Sequence, residues 1–377
     1  MTATTRSALS VLRLSMNFGE TSAPYNQFSL PLRTRQAITL CSYLPMSVTP
    51  PPEIKVFAGN QTIPGFFRAL KQALSQQRYD IIHVHDAVVA NLFLLHLLTS
   101  NPRLLSSAVF TVHNSYENFK PRNRLLLLPI FALFRKVICC SKASYESFPA
   151  PYRWLAGKRL TYVQNGMDIE RLDRVLAQQS APPPNDAFTV IAIGRLIEIK
   201  NPVTLVKAFA QSNLPNGRLL FVGAGHLADA VKAAAEQLGI ADRVELTGLI
   251  PRDEVYQRLQ AADLFVSPSY GEGLPIAVLE AMACRRPVVL SDIAPHREIA
   301  GENNDLPLIA PDDTAGLAQA ISQIAALTPT ERKQVGQRWR KLVDDHFSLT
   351  SMHRGYAEIY AEVQPAIVQK QNASLAR

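Results

Sequence analysis

Cysteine is scarce in this chain. Its 377 residues hold four, Cys41, Cys139, Cys140 and Cys284. None is in C-x-x-C spacing, and the adjacent pair cannot build a zinc framework. Buried, reduced thiols in a cytoplasm are the expectation. Long apolar runs are missing too. The longest, Leu125 to Phe134, contains Pro129 and has about half the length needed to span a bilayer. Residues Met1 to Glu20 lack the continuous apolar stretch and small-residue cleavage site of a signal peptide. No clear Asp-x-Asp element offers ligands to a divalent cation, so no metal is expected. No RNA- or DNA-binding motif accompanies the net charge of +8, and the basic residues are scattered rather than interleaved with an aromatic platform. A nucleic-acid partner is therefore not expected.

The positive balance can serve an anionic substrate or an anionic membrane instead. Arg122, Arg124, Arg135 and Lys136 flank the apolar run, a pattern suited to lying on an anionic bilayer. A buried helix before the next strand has the same pattern. The expected location is cytoplasmic, with a peripheral place on the inner face of the cytoplasmic membrane as the variant in which Arg122–Lys136 touches lipid.

With 47% hydrophobic and 19% charged residues, the chain is globular and long enough for two α/β domains. Tyr79 to His85 and Ala108 to His113 read as parallel strands ending in polar residues, and Ile63 to Gln77 places Phe66, Phe67, Leu70 and Leu74 on one helical face. Gln178 to Asp186, with three consecutive prolines, interrupts the pattern as a linker between residues 1–177 and 187–350. Alternation then resumes: strand Phe188 to Ile193, helix Pro202 to Gln211, strand Arg218 to Val222, helix Leu227 to Leu238, and short strands near Val244 to Leu246, Leu264 to Ser267 and Pro287 to Leu290. The expected fold is α/β, two Rossmann-like doubly wound parallel sheets, with ligand in a cleft at the strands' carboxyl ends.

The segment Ser267 to Cys284 carries the most chemistry. Gly271 and Gly273 let the backbone turn around Glu272, and a helix is expected to begin near Leu274 or Pro275. Its first N–H groups have no intrahelical partner and favour phosphate. Glu272 and Glu280 are acceptors suited to neutral hydroxyls on either side, so the pattern points to a sugar nucleotide. After the strand Phe188 to Ile193, Arg195 and Lys200 flank a loop leading into a helix. Cations there oppose the helix dipole, which favours a pyrophosphate-binding role over two solvated charges. Gly223 and Gly225 permit close approach of a base or ribose. His113 ends its strand in Thr-Val-His-Asn, where a structural and a functional histidine look alike.

In order along the chain, DIIHVHD (80–86), FTVHN (110–114), VICCSKAS from Val137, VQNGMD (163–168), GRLIEIKN (194–201), FVGAG (221–225) and Glu272-x7-Glu280 resemble the retaining glycosyltransferases of family four, which have the GT-B fold. The resemblance implies an acceptor-binding N-terminal domain (1–177), a sugar-nucleotide-binding domain (187–350), and a closing helix at 351–366 that crosses back to the first, leaving a disordered tail at 367–377. It places Glu272 on donor sugar hydroxyls, helped by the N–H groups of Gly273, Leu274, Pro275 and Ile276 insofar as each has one. It places Glu280 on the ribose, Arg195 and Lys200 on the diphosphate, His113 near the reacting carbon, and Leu249 and Ile250 at the base. Glu272, His113, Arg195 and Lys200 are thus the catalytic candidates.

Two departures stand out. The family's Gly-Gly pair after the first strand is absent, and only Gly19 in the loop Asn17 to Gln27 can replace it on the phosphates. A Gly-Gly-x-x-Glu turn appears as Ala294-Pro-His-Arg-Glu298. The implied activity is metal-independent hexosyl transfer, with retention, from a UDP- or GDP-sugar to a saccharide or lipid-linked saccharide in polysaccharide or glycolipid synthesis. The nucleotide sugar is a co-substrate and no cofactor is implied. A non-hydrolysing sugar-nucleotide epimerase and a non-catalytic scaffold with a residual nucleotide site are the alternatives.

Overall fold

The computed structural model describes residues 8–178, 187–302 and 305–364. The expected linker beyond Gln178 and the tail 367–377 lie outside the described residues. The chain divides into two compact units, one formed by residues up to Gln164 together with Thr350 onward, the other by Asn165–Leu349.

In the first unit seven strands run parallel: β1 (Leu9–Ser15), β2 (Gln36–Ser42), β3 (Lys55–Ala58), β4 (Ile81–Val84), β5 (Ala108–Val112), β6 (Lys136–Cys139) and β7 (Leu160–Tyr162). Their order is β3-β2-β1-β4-β5-β6-β7. Helices cover both faces, so the central strands read as nearly continuous apolar runs, and every residue of β4 and β5 is buried. The stretch expected as Tyr79–His85 is thereby trimmed to β4. Tyr79 instead turns its hydroxyl to the Ala73 carbonyl, and the Asp80 carboxylate accepts from Ser10 N and Oγ.

The helix Ile63–Gln76 buries Phe66, Ala69, Leu70 and Ala73 and is capped by Thr62, whose Oγ1 accepts from Gly65 N at 3.0 Å. Basic-flanked Pro121–Leu133 is also a helix. It buries Leu127, Ile130 and Phe131 and leaves Leu125, Leu128 and Leu133 exposed. Its two readings therefore apply to opposite faces. The closing helix, Leu349–Val363, packs Met352, Tyr356, Ile359, Tyr360 and Val363 into the first unit. Burying a side chain of this size contributes about 1.5–3 kcal/mol, which makes the helix part of that unit's core.

The second unit has six parallel strands: β8 (Thr189–Ile193), β9 (Arg218–Val222), β10 (Val244–Leu246), β11 (Leu264–Ser267), β12 (Val288–Ser291) and β13 (Leu308–Ile309), in the order β10-β9-β8-β11-β12-β13. Strand order reverses between β8 and β11, where open α/β sheets bind ligands. The helix Ile169–Ala177, assigned from sequence to the end of the first domain, belongs here. Its Leu172 is fully buried in the second unit's core, and Arg171 pairs with Asp253 at 2.8 Å.

The helix after Glu272 spans Ile276–Ala283, later than expected. Pro275 is its N-cap, with φ −76° and ψ 109°, rather than its first helical residue. The residue before a proline is disfavoured in helical conformation, which keeps Leu274 outside the helix; it is buried, its carbonyl accepting from Asn165 Nδ2 at 3.4 Å.

Candidate active site

The second unit's site is built on the ends of β8 and β11. Beyond β8 the chain reaches Gly194 at φ 152°, passes Arg195, and turns through Asn201 in left-handed conformation into the helix Pro202–Gln211. Asn201 Nδ2 donates to the Pro268 and Pro311 carbonyls, and Tyr270 N donates to Ile199 O, so the two loops are laced together. A cleft between them is lined by Gly194, Arg195, Lys200, Ser267, Pro268 and Ser269.

Gly223 and Gly225 serve this construction. A Cβ at Gly223 would fall 2.1 Å from the Gly194 carbonyl oxygen, and one at Gly225 2.2 Å from that of Leu196. The space that sequence reasoning offered to a base or ribose is taken by the Arg195 loop, which the bonds Gly194 N to Val222 O and Leu196 N to Ala224 O hold in place. Leu249 is exposed and Ile250 packs against the core beside them.

Glu272 is buried, with Lys200 Nζ 2.6 Å from Oε1 and 2.7 Å from Oε2. Ser269 Oγ donates to Oε1 at 2.7 Å. Arg195 is exposed and has no ion-pair partner among the described residues. The site thus offers a fixed carboxylate–ammonium pair with an uncommitted guanidinium, above a helix whose N-terminus has no side-chain cap. Gly273, Leu274 and Pro275 are buried beneath Glu272, and Ile276 is half-buried.

Glu280 points into the unit and is ion-paired to Arg252, which also reaches Tyr256 Oη at 3.3 Å. Burial raises the Glu280 carboxyl above its ordinary pKa, with Arg252 and Arg171 acting against that shift. Sequence reasoning gave Glu280 a ribose and missed Arg252. The signal was there: Arg252 opens the helix Arg252–Ala261, a cation against the dipole, as with Lys200.

Ala294-Pro-His-Arg-Glu298, which departs from the family's turn, opens the helix Ala294–Ala300, and His296 stands in its first turn. It is fully buried, and its Nδ1 faces Ser291 O at 2.8 Å and Ser291 Oγ at 3.1 Å. Glu298 in the same helix is half-buried.

His113 and Gly19 lie in the first unit. His113 Nε2 is 3.0 Å from His85 Nδ1, with the rings stacked 5.3 Å apart. Burial pushes His113 down to about 4, against the pull of Asp86. Both nitrogens of the neighbouring His83 are bonded, Nδ1 with Arg13 and Tyr360 and Nε2 with Thr111. The Gly19 amide, expected to meet phosphate, donates to Ser22 Oγ at 3.1 Å, and a Cβ there would meet Ser47 Oγ at 2.6 Å. His85 and Arg13 escaped sequence reasoning, because their partners are fixed only when β1, β4 and β5 align.

Among the described residues no group of three or more His, Cys, Asp or Glu side chains is placed to hold a metal ion. No helix among them is long and apolar enough to cross a membrane.

Residues 43–171 match the family model Glycosyltransferase Family 4, and residues 173–342 match Glycosyl transferases group 1. The putative glycosyltransferase EpsD of Bacillus subtilis (strain 168) is 27% identical over 86% of this chain and 82% of its own length. An Escherichia coli protein named UDP-Gal:alpha-D-GlcNAc-diphosphoundecaprenol alpha-1,3-galactosyltransferase is 25% identical over 80% of this chain and 81% of its own. Among solved structures, Anabaena HepE in complex with UDP and glucose aligns with a TM-score of 0.74 at 19% identity, covering 94% of this chain and all of that one. At that identity the likeness concerns the fold.

Proposed function

This chain belongs to glycosyltransferase family four, and from that premise we propose that it moves a hexose, with retention, from a UDP- or GDP-sugar to a saccharide or lipid-linked saccharide in polysaccharide or glycolipid synthesis. The observation that carries the reading is the Lys200–Glu272 pair beside the uncommitted Arg195 at the strand reversal. Glu272 accepts from donor sugar hydroxyls. Arg195, Lys200 and the N-terminus of Ile276–Ala283 receive the diphosphate, whose charge grows as the bond to the anomeric carbon breaks. The acceptor oxygen bonds to that carbon on the same face, and its proton passes to the leaving phosphate. Charge neutralisation is assigned to these protein groups, without a metal ion.

A lipid-linked acceptor is supported by two things. The Escherichia coli relative's name specifies a diphosphoundecaprenol substrate. On this chain Leu125, Leu128 and Leu133 are exposed, as is Trp154 at 83%, with Arg122, Arg135 and Arg153 exposed in the same helices or just beyond them. An apolar and basic face of this kind suits peripheral attachment to an anionic membrane.

Calorimetric titration with UDP-, GDP- and ADP-sugars, each followed for diphosphate release, tests the reading. Binding of one donor with slow hydrolysis, lost in Glu272→Ala, is expected. Conversion of the nucleotide sugar without acceptor would establish an epimerase instead, and no binding by any donor would overturn the catalytic reading.

A further inference from the structure

Lys200 has one ammonium and two uses for it. Nζ carries three N–H groups, and Glu272 draws on it with both oxygens, Oε1 at 2.6 Å and Oε2 at 2.7 Å. At most one N–H remains for an anion in the cleft while that arrangement holds. Yet Lys200 lines the cleft beside Arg195. Its stem lies along Gly194, where an added Cβ would stand 3.6 Å from Lys200 Cε, and a quarter of the side chain is exposed. A ligand in the cleft therefore reaches an ammonium that the protein already holds.

Glu272 is the more buried partner, with 9% of its side chain exposed. Drawing the ammonium away from a buried carboxylate is costly, because the charge left behind loses its counterion. That cost is subtracted from the affinity of the anion that draws it. If the ammonium stays instead, the anion meets a cation whose charge the carboxylate already offsets. Both cases have one sign: the carboxylate weakens an anion at Lys200. Ser269 Oγ, donating to Oε1 at 2.7 Å, holds Glu272 in place whichever partner Lys200 takes.

We infer that Glu272 competes with the leaving diphosphate for Lys200 and so sets how fast that product departs. The inference rests on the diphosphate role given to Lys200 above. A strong grip on the diphosphate helps the bond to break, but the same grip on the product slows turnover. As the diphosphate moves off, Glu272 takes the ammonium back.

Glu272→Gln is the test, because the amide keeps the shape of the carboxylate and removes its charge. The probe is the nucleoside diphosphate alone, UDP or GDP as the wild type selects, so any sugar hydroxyl bonded by Glu272 does not enter. Affinity is read by calorimetry and dissociation by stopped-flow displacement, with folding checked by circular dichroism. Glu272→Gln is expected to bind the diphosphate roughly tenfold tighter, the order of one hydrogen bond to a charged group, and to release it more slowly by most of that factor. Glu272→Asn, one methylene shorter, repeats the measurement with the same expected direction. Loss of a side chain that merely supports the loop would weaken binding instead. Unchanged or weaker binding in both variants overturns the inference.

Plain repulsion between carboxylate and diphosphate would also give a gain, and Lys200 separates the two causes. Lys200→Gln is compared with Lys200→Gln plus Glu272→Gln at raised diphosphate concentration. Competition predicts that removing the carboxylate gains little once the ammonium is gone. A full tenfold gain in that background is repulsion alone and overturns the inference. If the wild type binds neither diphosphate, the reading of Lys200 falls first and the inference with it; if it binds and the Glu272→Gln gain is missing, the inference alone falls.

Discussion

Lys200 reaches both carboxylate oxygens of Glu272, across 72 positions of sequence, with its ammonium 2.6 and 2.7 Å away. Each group was assigned from sequence to a different part of a ligand, yet each is the other's partner in the folded unit. Glu272 is buried, so removing Lys200 alone strands a charge.

Lys200→Met is expected to destabilise the second unit by about 3 kcal/mol, the cost of leaving a buried charge unpaired. The double variant Lys200→Met with Glu272→Leu should recover most of that stability, because a packed apolar pair replaces the ion pair. Donor hydrolysis should stay absent in both. Urea unfolding beside a diphosphate-release assay reads the two effects separately. Activity returning along with stability would remove both side chains from the chemistry.

Gly223 lets the Arg195 loop approach its own neighbour. Gly223→Ala sets a Cβ 2.1 Å from Gly194 O at a residue with φ 137°, so either the strain or the clash must move the loop that carries Arg195. Roughly 1–3 kcal/mol of stability and most of the turnover should be lost. Gly239→Ala is the control: φ is +66° but nothing lies within 4 Å of the added carbon. It should cost stability and leave turnover alone. Equal turnover in the two variants would detach the glycine from the site.

The parts of the fold that sequence reasoning found are those where one residue pattern has one physical cause. Parallel strands covered on both faces need unbroken apolar runs, and the fully buried Leu264–Ser267 was legible to the residue. The helix Ile169–Ala177 was misassigned because an amphipathic stripe states that a face is buried and not which sheet buries it. Arg13 in the buried strand LSVLRLS shows the same limit. A charged residue in a strand reads as solvent-facing, and its partners Gln36, His83 and Tyr360 become visible only in the folded unit. That Glu272, Arg195 and Lys200 stand on adjoining loops was legible because backbone constraints mark those loops. The ties that set their state, Glu272 to Lys200 and Glu280 to Arg252, were not.

The helix Pro121–Leu133 divides its leucines between core and solvent, so lipid attachment can be removed without touching the core. Leu125→Glu with Leu133→Glu should leave unfolding unchanged within about 0.5 kcal/mol, as for surface positions generally. It should also abolish sedimentation with phosphatidylglycerol vesicles, if this face holds the membrane. Leu127→Glu, at a buried position, should unfold the first unit instead. Undiminished vesicle binding by the double variant would move the membrane contact elsewhere.

Four buried histidines link stability to pH. His83 and His85 are held well below their ordinary pKa, and His113 and His296 near 4, with burial the largest cause in each. In the unfolded chain all four titrate near 6.5. Between that value and the lower folded values the unfolded state binds protons that the native state does not, so stability rises with pH across the window. It is complete above about pH 6.5 and is lost as pH falls toward 4, by up to about 1.4 kcal/mol per pH unit for each histidine. Asp173 and Asp292 are shifted down as well, by hydrogen bonds from Arg340 and Arg297, but they act only below the ordinary carboxylate range. Four histidines set the slope from 6.5 to 4.5, and Glu280, whose carboxyl burial raises, acts there with the opposite sign. Urea midpoints at pH 7.5, 6.0 and 5.0 should fall in sequence, and His85→Phe should make the decline shallower, because one titrating group of the first unit is gone. Constant midpoints across that range would mean that the native state takes up these protons, and the neutral cluster of His83, His85 and His113 would have to be abandoned.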